Sequence, residues 1–282
     1  MMKTALASAV AGMLLVTTMA TTASADSASA DSGTNRVRIS YVPTEDPDLR
    51  EVYMDLKERR PLERLQKFLV PFRLPRTLQI TLAGCDGEAD AFYGDGAITI
   101  CYEYVRTLWS NAPAKTTPAG IAPIDTVVGP FFDTCLHEFA HALFDMLNLP
   151  VLGRVEDAAD QVAAYIYLQL GYVESRRLIT GTAYAYLADA MSVGRPPSLT
   201  DLAGEHGTPA QRAYNLLCIA YGADTKLFGD FVSEGHLPMK RARSCEEEYE
   251  QVQDAYEALV GPHIDEALAK EVFNRTWLRK PT

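Results

Sequence analysis

From residue 36 onward, apolar and polar positions follow two periods in turn. Val37, Ile39 and Tyr41 alternate with polar neighbours between Arg36 and Val42, which predicts a first strand. Asp46-Pro47 reads as an N-cap followed by proline at the first helical position. Leu49, Val52, Tyr53 and Leu56 then fall at helical spacing. Pro61 restarts or kinks the run, and Leu62, Leu65, Phe68 and Leu69 carry it to a stop at Val70-Pro71. Alternation returns from Arg76 to Leu82 as a second strand. Asp95-Gly96, set between the apolar segments Ala91-Phe92-Tyr93 and Ala97 to Tyr102, predicts a hairpin. Tyr102 to Trp109 turns helical. Asn111 to Pro123, rich in Ala, Pro, Thr and Gly, reads as a loop.

Beyond that loop the helical period dominates. Asp125 to Leu147 forms one long helix by pattern, with Phe131, Leu136, Phe139, Ala140, Leu143 and Leu147 as its apolar residues. Leu149 to Gly153 turns the chain, and a second helix runs from about Val155 to Leu170. So short a connection favours antiparallel packing of the two. Further helices are expected over Val173 to Met191, Pro209 to Tyr221, Lys226 to Ser233, Cys245 to Val260 and His263 to Phe273. The expected fold is α+β: a small mixed sheet with helices first, then a mostly helical lobe. We expect a single domain over 36–282, with lobes at 36–149 and 150–282.

Before residue 36 the pattern is of another kind. Lys3, the uncharged apolar stretch Ala5 to Met19 and the small-residue site Ala23-Ser24-Ala25 read as a signal peptide over 1–25. Residues 26–35, rich in Ser, Ala and Asp, read as a disordered lead-in. An exported bacterial protein, periplasmic or extracellular, is therefore expected. No later run is long and apolar enough to span a bilayer. The formal net charge is −11, which argues against nucleic acid and anionic lipid as partners. The five cysteines lack C-x-x-C spacing, so a cysteine metal site or redox motif is not indicated. In an exported chain, five suggests two disulfides and one leftover thiol. Pairing Cys85 with Cys101 and Cys218 with Cys245 closes two short local loops and leaves Cys135.

The long helix carries His137-Glu138-Phe139-Ala140-His141. Four residues advance a helix by about 400° and roughly 6 Å, so the two histidines share a face one turn apart. Two imidazoles so placed can hold one Zn2+ ion per chain, with Glu138 within reach of a water beside it. The second helix adds Glu156 and Asp160, again one turn apart. Glu156 supplies a third ligand. Asp160 can accept the remaining ring N–H of His137 and fix its tautomer. Asp145, four residues past His141, reads either as a further acceptor or as a solvated surface acid.

H-E-x-x-H followed by E-x-x-x-D resembles the gluzincin metallopeptidases, the thermolysin-like group of zincin fold. The resemblance implies His137, His141 and Glu156 as zinc ligands, Glu138 as general base and Asp160 as support for a ligand histidine. The chain is also similar, over most of its length, to a bacterial family of exported proteins described as metallopeptidases without an assigned function. Cys85, Ala91-Phe92-Tyr93, Ile100 to Glu103, the motif helix, Glu156 to Gln161, Gln211-Arg212, Asn215, Cys218 and Leu237-Pro238 carry that similarity. By the thermolysin-like pattern, Ala91, Phe92 and Tyr93 would form a substrate-holding edge strand, with Asp90 standing where that pattern prefers Asn. A His or Tyr opposite the base would stabilise the oxyanion: His206 is one candidate, Arg212 and Tyr214 are others. Val155 stands where the pattern has a polar residue, so support for His141 would come from Asp145 or a backbone carbonyl. His236 and His263 read as structural. The implied activity is peptide-bond hydrolysis on a peptide or protein substrate. The rival reading is a zinc-holding binding or regulatory protein that cleaves nothing efficiently.

Overall fold

Four strands and twelve helices are described in a computed structural model over residues 36–192 and 194–279. The expected leader (1–25) and lead-in (26–35) lie outside the described residues. The strands are β1 (Val37–Tyr41), β2 (Leu78–Ala83), β3 (Ala91–Gly94) and β4 (Ala97–Cys101). They form one mixed sheet in the order β1-β2-β4-β3. β1 and β2 run parallel, with Ile39 opposite Ile80. β2 and β4 run parallel, and β3 returns antiparallel to β4. The hairpin forms because Asp95 and Gly96 both take positive φ (50° and 77°), the pair of conformations a type I′ turn needs. The turn leaves β3 at a sheet edge.

Alternation along the strands sorts the two faces. Leu78, Ile80, Leu82, Ile98 and Ile100 are fully buried. On the other face Gln79 donates to Ser40, which bonds the Thr81 hydroxyl at 2.9 Å. The N-terminal helices are α1 (Pro47–Arg59), α2 (Pro61–Phe68) and α3 (Tyr102–Asn111). Asp46 caps α1 by accepting from Asp48 N at 2.9 Å, and left-handed Arg60 separates α1 from α2. α4 (Asp125–Met146) packs on this unit through Phe139, whose ring meets Phe72 edge-on at 4.8 Å.

The remaining helices are α5 (Val155–Leu168), α6 (Tyr172–Ser192), α7 (Leu199–Leu202), α8 (Pro209–Ala223), α9 (Asp230–Ser233), α10 (Met239–Ala242), α11 (Cys245–Leu259) and α12 (Glu266–Phe273). α4 lies against both α5 and α6. Its crossing with α6 is backbone to backbone: a Cβ at Gly181 would meet Asp125 O at 2.0 Å, and one at Gly129 would meet Thr182 N at 2.8 Å. Only glycine allows that approach. No helix among the described residues is long and apolar enough to cross a membrane.

Disulfides join Cys85 to Cys101 and Cys218 to Cys245, while Cys135 is a buried free thiol. The first bond ties the end of the hairpin to the loop after β2. There the buried Glu103 carboxylate accepts from Cys85 N and Gly87 N.

Two helix expectations need correction, and the short helices α7 and α10 were not expected. Lys226 to Ser233 is helical only over Asp230–Ser233, because the Asp224 carboxylate captures the N–H groups of Lys226 and Leu227 in a turn. The last helix begins at Glu266 instead of His263, where Asp265 caps it by accepting from Leu268 N. α7 is a single turn closed by the reciprocal Ser198–Asp201 capping box.

Candidate metal centre

Regular geometry on two packed helices assembles the central cluster. α4 turns His137 and His141 to one side, with their Nε2 atoms 3.1 Å apart. A short turn through left-handed Asn148 and Gly153 then sends the chain back as α5. Ala159, fully buried, lets α5 settle on α4, while Ala158 is only partly covered. Glu156 thereby brings one oxygen, Oε2, to 2.9 Å from His137 Nε2 and 3.2 Å from His141 Nε2. Three metal-binding atoms from i, i+4 and a neighbouring helix thus converge on one point.

The outer ring nitrogen of His137 faces Asp160. Nδ1 and Asp160 Oδ1 are 2.7 Å apart, so an N–H there leaves Nε2 as a lone pair aimed into the cluster. Asp160 is held in turn by Arg212, whose guanidinium forks onto both carboxylate oxygens at 2.8 and 2.7 Å. Arg212 lies over the Tyr186 ring, 4.6 Å from its centroid. Tyr186 and Tyr167 both donate to Asp133, at 2.7 and 2.9 Å. Burial, then the neighbouring Asp160 charge, pushes the Asp133 carboxyl above its ordinary pKa. The chain of contacts runs from buried Asp133 to the lone pair of His137.

Charge within the cluster follows from these contacts. The hydrogen bond from His137 draws the Glu156 carboxyl down to about 2. Burial pushes Asp160 up, but His137 and Arg212 outweigh it and hold Asp160 at about 2. Burial lowers His137, yet Asp160 and Glu156 raise it to about 9 without a metal. Burial, then the charge on His137, lowers His141. Glu138 is only 7% exposed. Burial raises it to about 7, with Glu156 and Asp90 adding to the rise and His137 opposing it. Its carboxylate also accepts a backbone hydrogen bond from Tyr93 on β3.

A cleft of about 850 Å³ opens over the cluster. One wall is the β3 edge, including Asp90, Ala91, Phe92 and Tyr93. Tyr104 and Leu108 of α3 and Tyr184 and Asp189 of α6 form the other side. Ala91 is buried, while Phe92 lines the cleft and is about half exposed. Asp90 accepts from Ala91 N at 2.8 Å and so shapes the entry to the strand.

The rim differs from the expectations in several places. His206 lies on the loop before α8 and reaches the cluster itself, with Nε2 2.7 Å from Glu156 Oε2 and its ring stacked on His137. Arg154 holds this loop by donating to Gly204 O at 2.7 Å and Glu205 O at 3.0 Å. His137, Glu156 and His206 form a set that can hold a metal ion. Arg212 is committed to Asp160 and is not free to act as an oxyanion donor. Tyr214 is exposed and does not line the cleft. Asp145 does not support His141. It sits on the cleft's lip, where it pairs with Arg76 and accepts from the Tyr93 hydroxyl. His236 stands beside Glu234, and the His263 carbonyl accepts from Arg73 N. Sequence reasoning missed Asp133, Tyr167 and Tyr186. The available signal was an acid one turn before His137, on the histidine face of α4.

A family model described as "Putative metallopeptidase" matches residues 41–260 of the chain. No curated protein and no solved structure matches it.

Proposed function

The chain belongs to this metallopeptidase family, and from that premise we propose that it is an exported zinc-dependent peptidase. His137, His141 and Glu156 would hold Zn2+, and Glu138 is the general base. The observation that carries the reading is the convergence of three donor atoms 2.9–3.2 Å apart beside the buried carboxylate of Glu138, which takes no part in the donor set. Tetrahedral zinc with N and O donors at about 2.0–2.2 Å needs them roughly 3.3–3.6 Å apart, a few tenths of an ångström from what is found. Two histidines and one glutamate are also a typical catalytic zinc donor set. When bound, the ion would supply Lewis acidity and an acidified water.

The residues themselves divide the remaining work. Glu138, with its pKa raised to about 7 by burial, can take a proton near neutral pH and give it back to a leaving amine. The Tyr93 backbone fixes that carboxylate, so the base and the β3 edge are positioned together. A peptide can add to the free edge of β3 as a further strand, with alternate side chains directed to and from the cleft. Asp160 and Arg212 hold the His137 ring in one tautomer. His206 is our candidate donor to the developing oxyanion. Two disulfides suit an oxidising compartment, in keeping with the proposed export.

One observation favours a second reading. The His206 contact with Glu156 brings a third nitrogen, and so a fourth donor, to the group, and closed four-donor zinc sites are structural. The deciding experiment is a peptide-library digest by the purified protein and by Glu138→Gln, with metal content measured in both. The peptidase reading requires about one zinc per chain in each, with cleavage lost by about 10²–10⁴-fold in the variant. Metal without cleavage in the wild type would establish the binding-protein reading instead.

A further inference from the structure

The opposite side of α4 bounds a second cavity, of about 600 Å³, within the range that holds small organic ligands. Thr126, Pro130 and His137 of α4 face the metal-centre cleft, whereas Val127, Val128 and Phe131 face this cavity. Its walls are otherwise apolar, from Leu65 and Phe68 of α2 to Leu278 near the end of the described chain. The charged groups around it are unusual for this protein. Acids outnumber bases 37 to 26 over the whole chain, yet four arginines (Arg59, Arg64, Arg177 and Arg279) and one acid, Asp55, line the cavity. Asp55 is paired with Arg59, and Asp125 with Arg177. Among the described residues, Arg64 donates only to the Trp277 carbonyl at 3.4 Å. Among the described residues, neither Arg64 nor Arg279 is paired with a carboxylate.

We propose that this cavity binds a free long-chain monocarboxylate, a fatty-acid-like amphiphile. The alkyl chain lies on the apolar wall and the carboxylate meets Arg64 and Arg279. The charge pattern selects the ligand: an apolar ligand alone would leave Arg64 and the exposed Arg279 without an anionic partner. A short anion would leave the apolar wall empty. The site is independent of the metal centre and of the peptidase reading.

The molecule carries its own reporter. The chain has two tryptophans, Trp109 and Trp277, and both line this cavity. Intrinsic fluorescence of the full-length protein is titrated with octanoate, decanoate and dodecanoate below their critical micelle concentrations, and with dodecanol. The proposal expects saturable binding that tightens about threefold to fourfold per added methylene, as burial of each CH₂ group requires. It also expects dodecanol and the Arg64→Gln/Arg279→Gln variant each to bind at least tenfold more weakly. Far-UV circular dichroism checks that the variant is folded, and Val128→Phe, which fills the cavity, gives a second route to the same loss. The proposal is overturned by no saturable response to dodecanoate. Equal affinity for dodecanol, unchanged binding in both folded variants, or a response to anionic vesicles without one to free dodecanoate would overturn it equally.

Discussion

The centre of the metal cluster and its rim are built by different means. At the centre, every participating side chain stands on a helix: His137, Glu138 and His141 on α4, Glu156 and Asp160 on α5, Arg212 on α8. Spacing of one turn sets the pairs, and a chain of hydrogen bonds, with the Arg212–Tyr186 ring contact as one link, runs back to buried Asp133 and holds them. At the rim, His206 stands on a loop fastened by Arg154, and Asp145 and Phe92 border solvent. Groups on regular elements are positioned by local geometry and burial. Groups at the rim depend on a few contacts between segments far apart in sequence. Precision at the centre suits metal holding, while the looser rim suits the accommodation of different substrates.

Pairs of substitutions test that contrast. His141→Ala removes a central donor and should lower zinc affinity by more than the roughly 10–100-fold that loss of an outer partner costs. His206→Ala should leave zinc affinity within about threefold while cutting peptide cleavage by about 10²–10³-fold, as loss of an oxyanion donor does. Competition with a chromogenic chelator gives the affinities. Equal loss of zinc in both variants would make His206 a member of the centre and favour a closed site. Asp160→Asn comes next. It keeps the shape of the side chain but loses the charge that grips His137 and Arg212, and should weaken zinc binding by about 10–100-fold.

Protons probe the same centre in metal-free protein. The His137 pKa is raised above its ordinary value, to about 9. Its contribution to stability is therefore full below about 6.5, the unfolded value, and is lost as pH rises through 9. Asp160 is displaced the other way, to about 2. Its contribution is full above about 4 and is lost as pH falls toward 2. Thermal melts of chelator-treated protein should show both slopes. Asp160→Asn should flatten the acid one and reduce the alkaline one, because His137 loses its main partner. Saturating zinc should abolish the alkaline slope, since the metal binds the deprotonated ring.

The same contrast governs how much the sequence could reveal. The hairpin was legible because Asp-Gly is a local turn code. The α4–α5 pair was legible because its periodicity and its donors coincide. Glu156 and Asp160 could be named as a ligand and its support because one-turn spacing is intrinsic to a helix. Asp133 was hidden because its partners, Tyr167 and Tyr186, arrive 34 and 53 residues later on α5 and α6. Arg212 was named, but its commitment to Asp160 is a contact across 52 residues that no local pattern encodes. The start of the expected helix at 226–233 failed for a local reason: one aspartate offered the backbone a competing turn.

Asp145 yields the smallest expected effect and the cleanest test of the rim. By spacing it belongs to the histidine face of α4, four residues beyond His141, where a helix-based argument would make it a support for that ring. The structure directs it instead to Arg76 and the Tyr93 hydroxyl, with its side chain 54% exposed and that of Arg76 52% exposed. An ion pair so open to water contributes about 0–1 kcal/mol. Asp145→Asn should therefore shift the melting temperature by no more than a few degrees and leave zinc affinity unchanged within about twofold. Loosening of Tyr93 should appear as a modest rise in KM for peptides, because that residue belongs to the β3 edge and its backbone holds Glu138. A tenfold loss of zinc affinity in this variant would place Asp145 behind His141 after all, and would move the boundary between centre and rim outward by one helical turn.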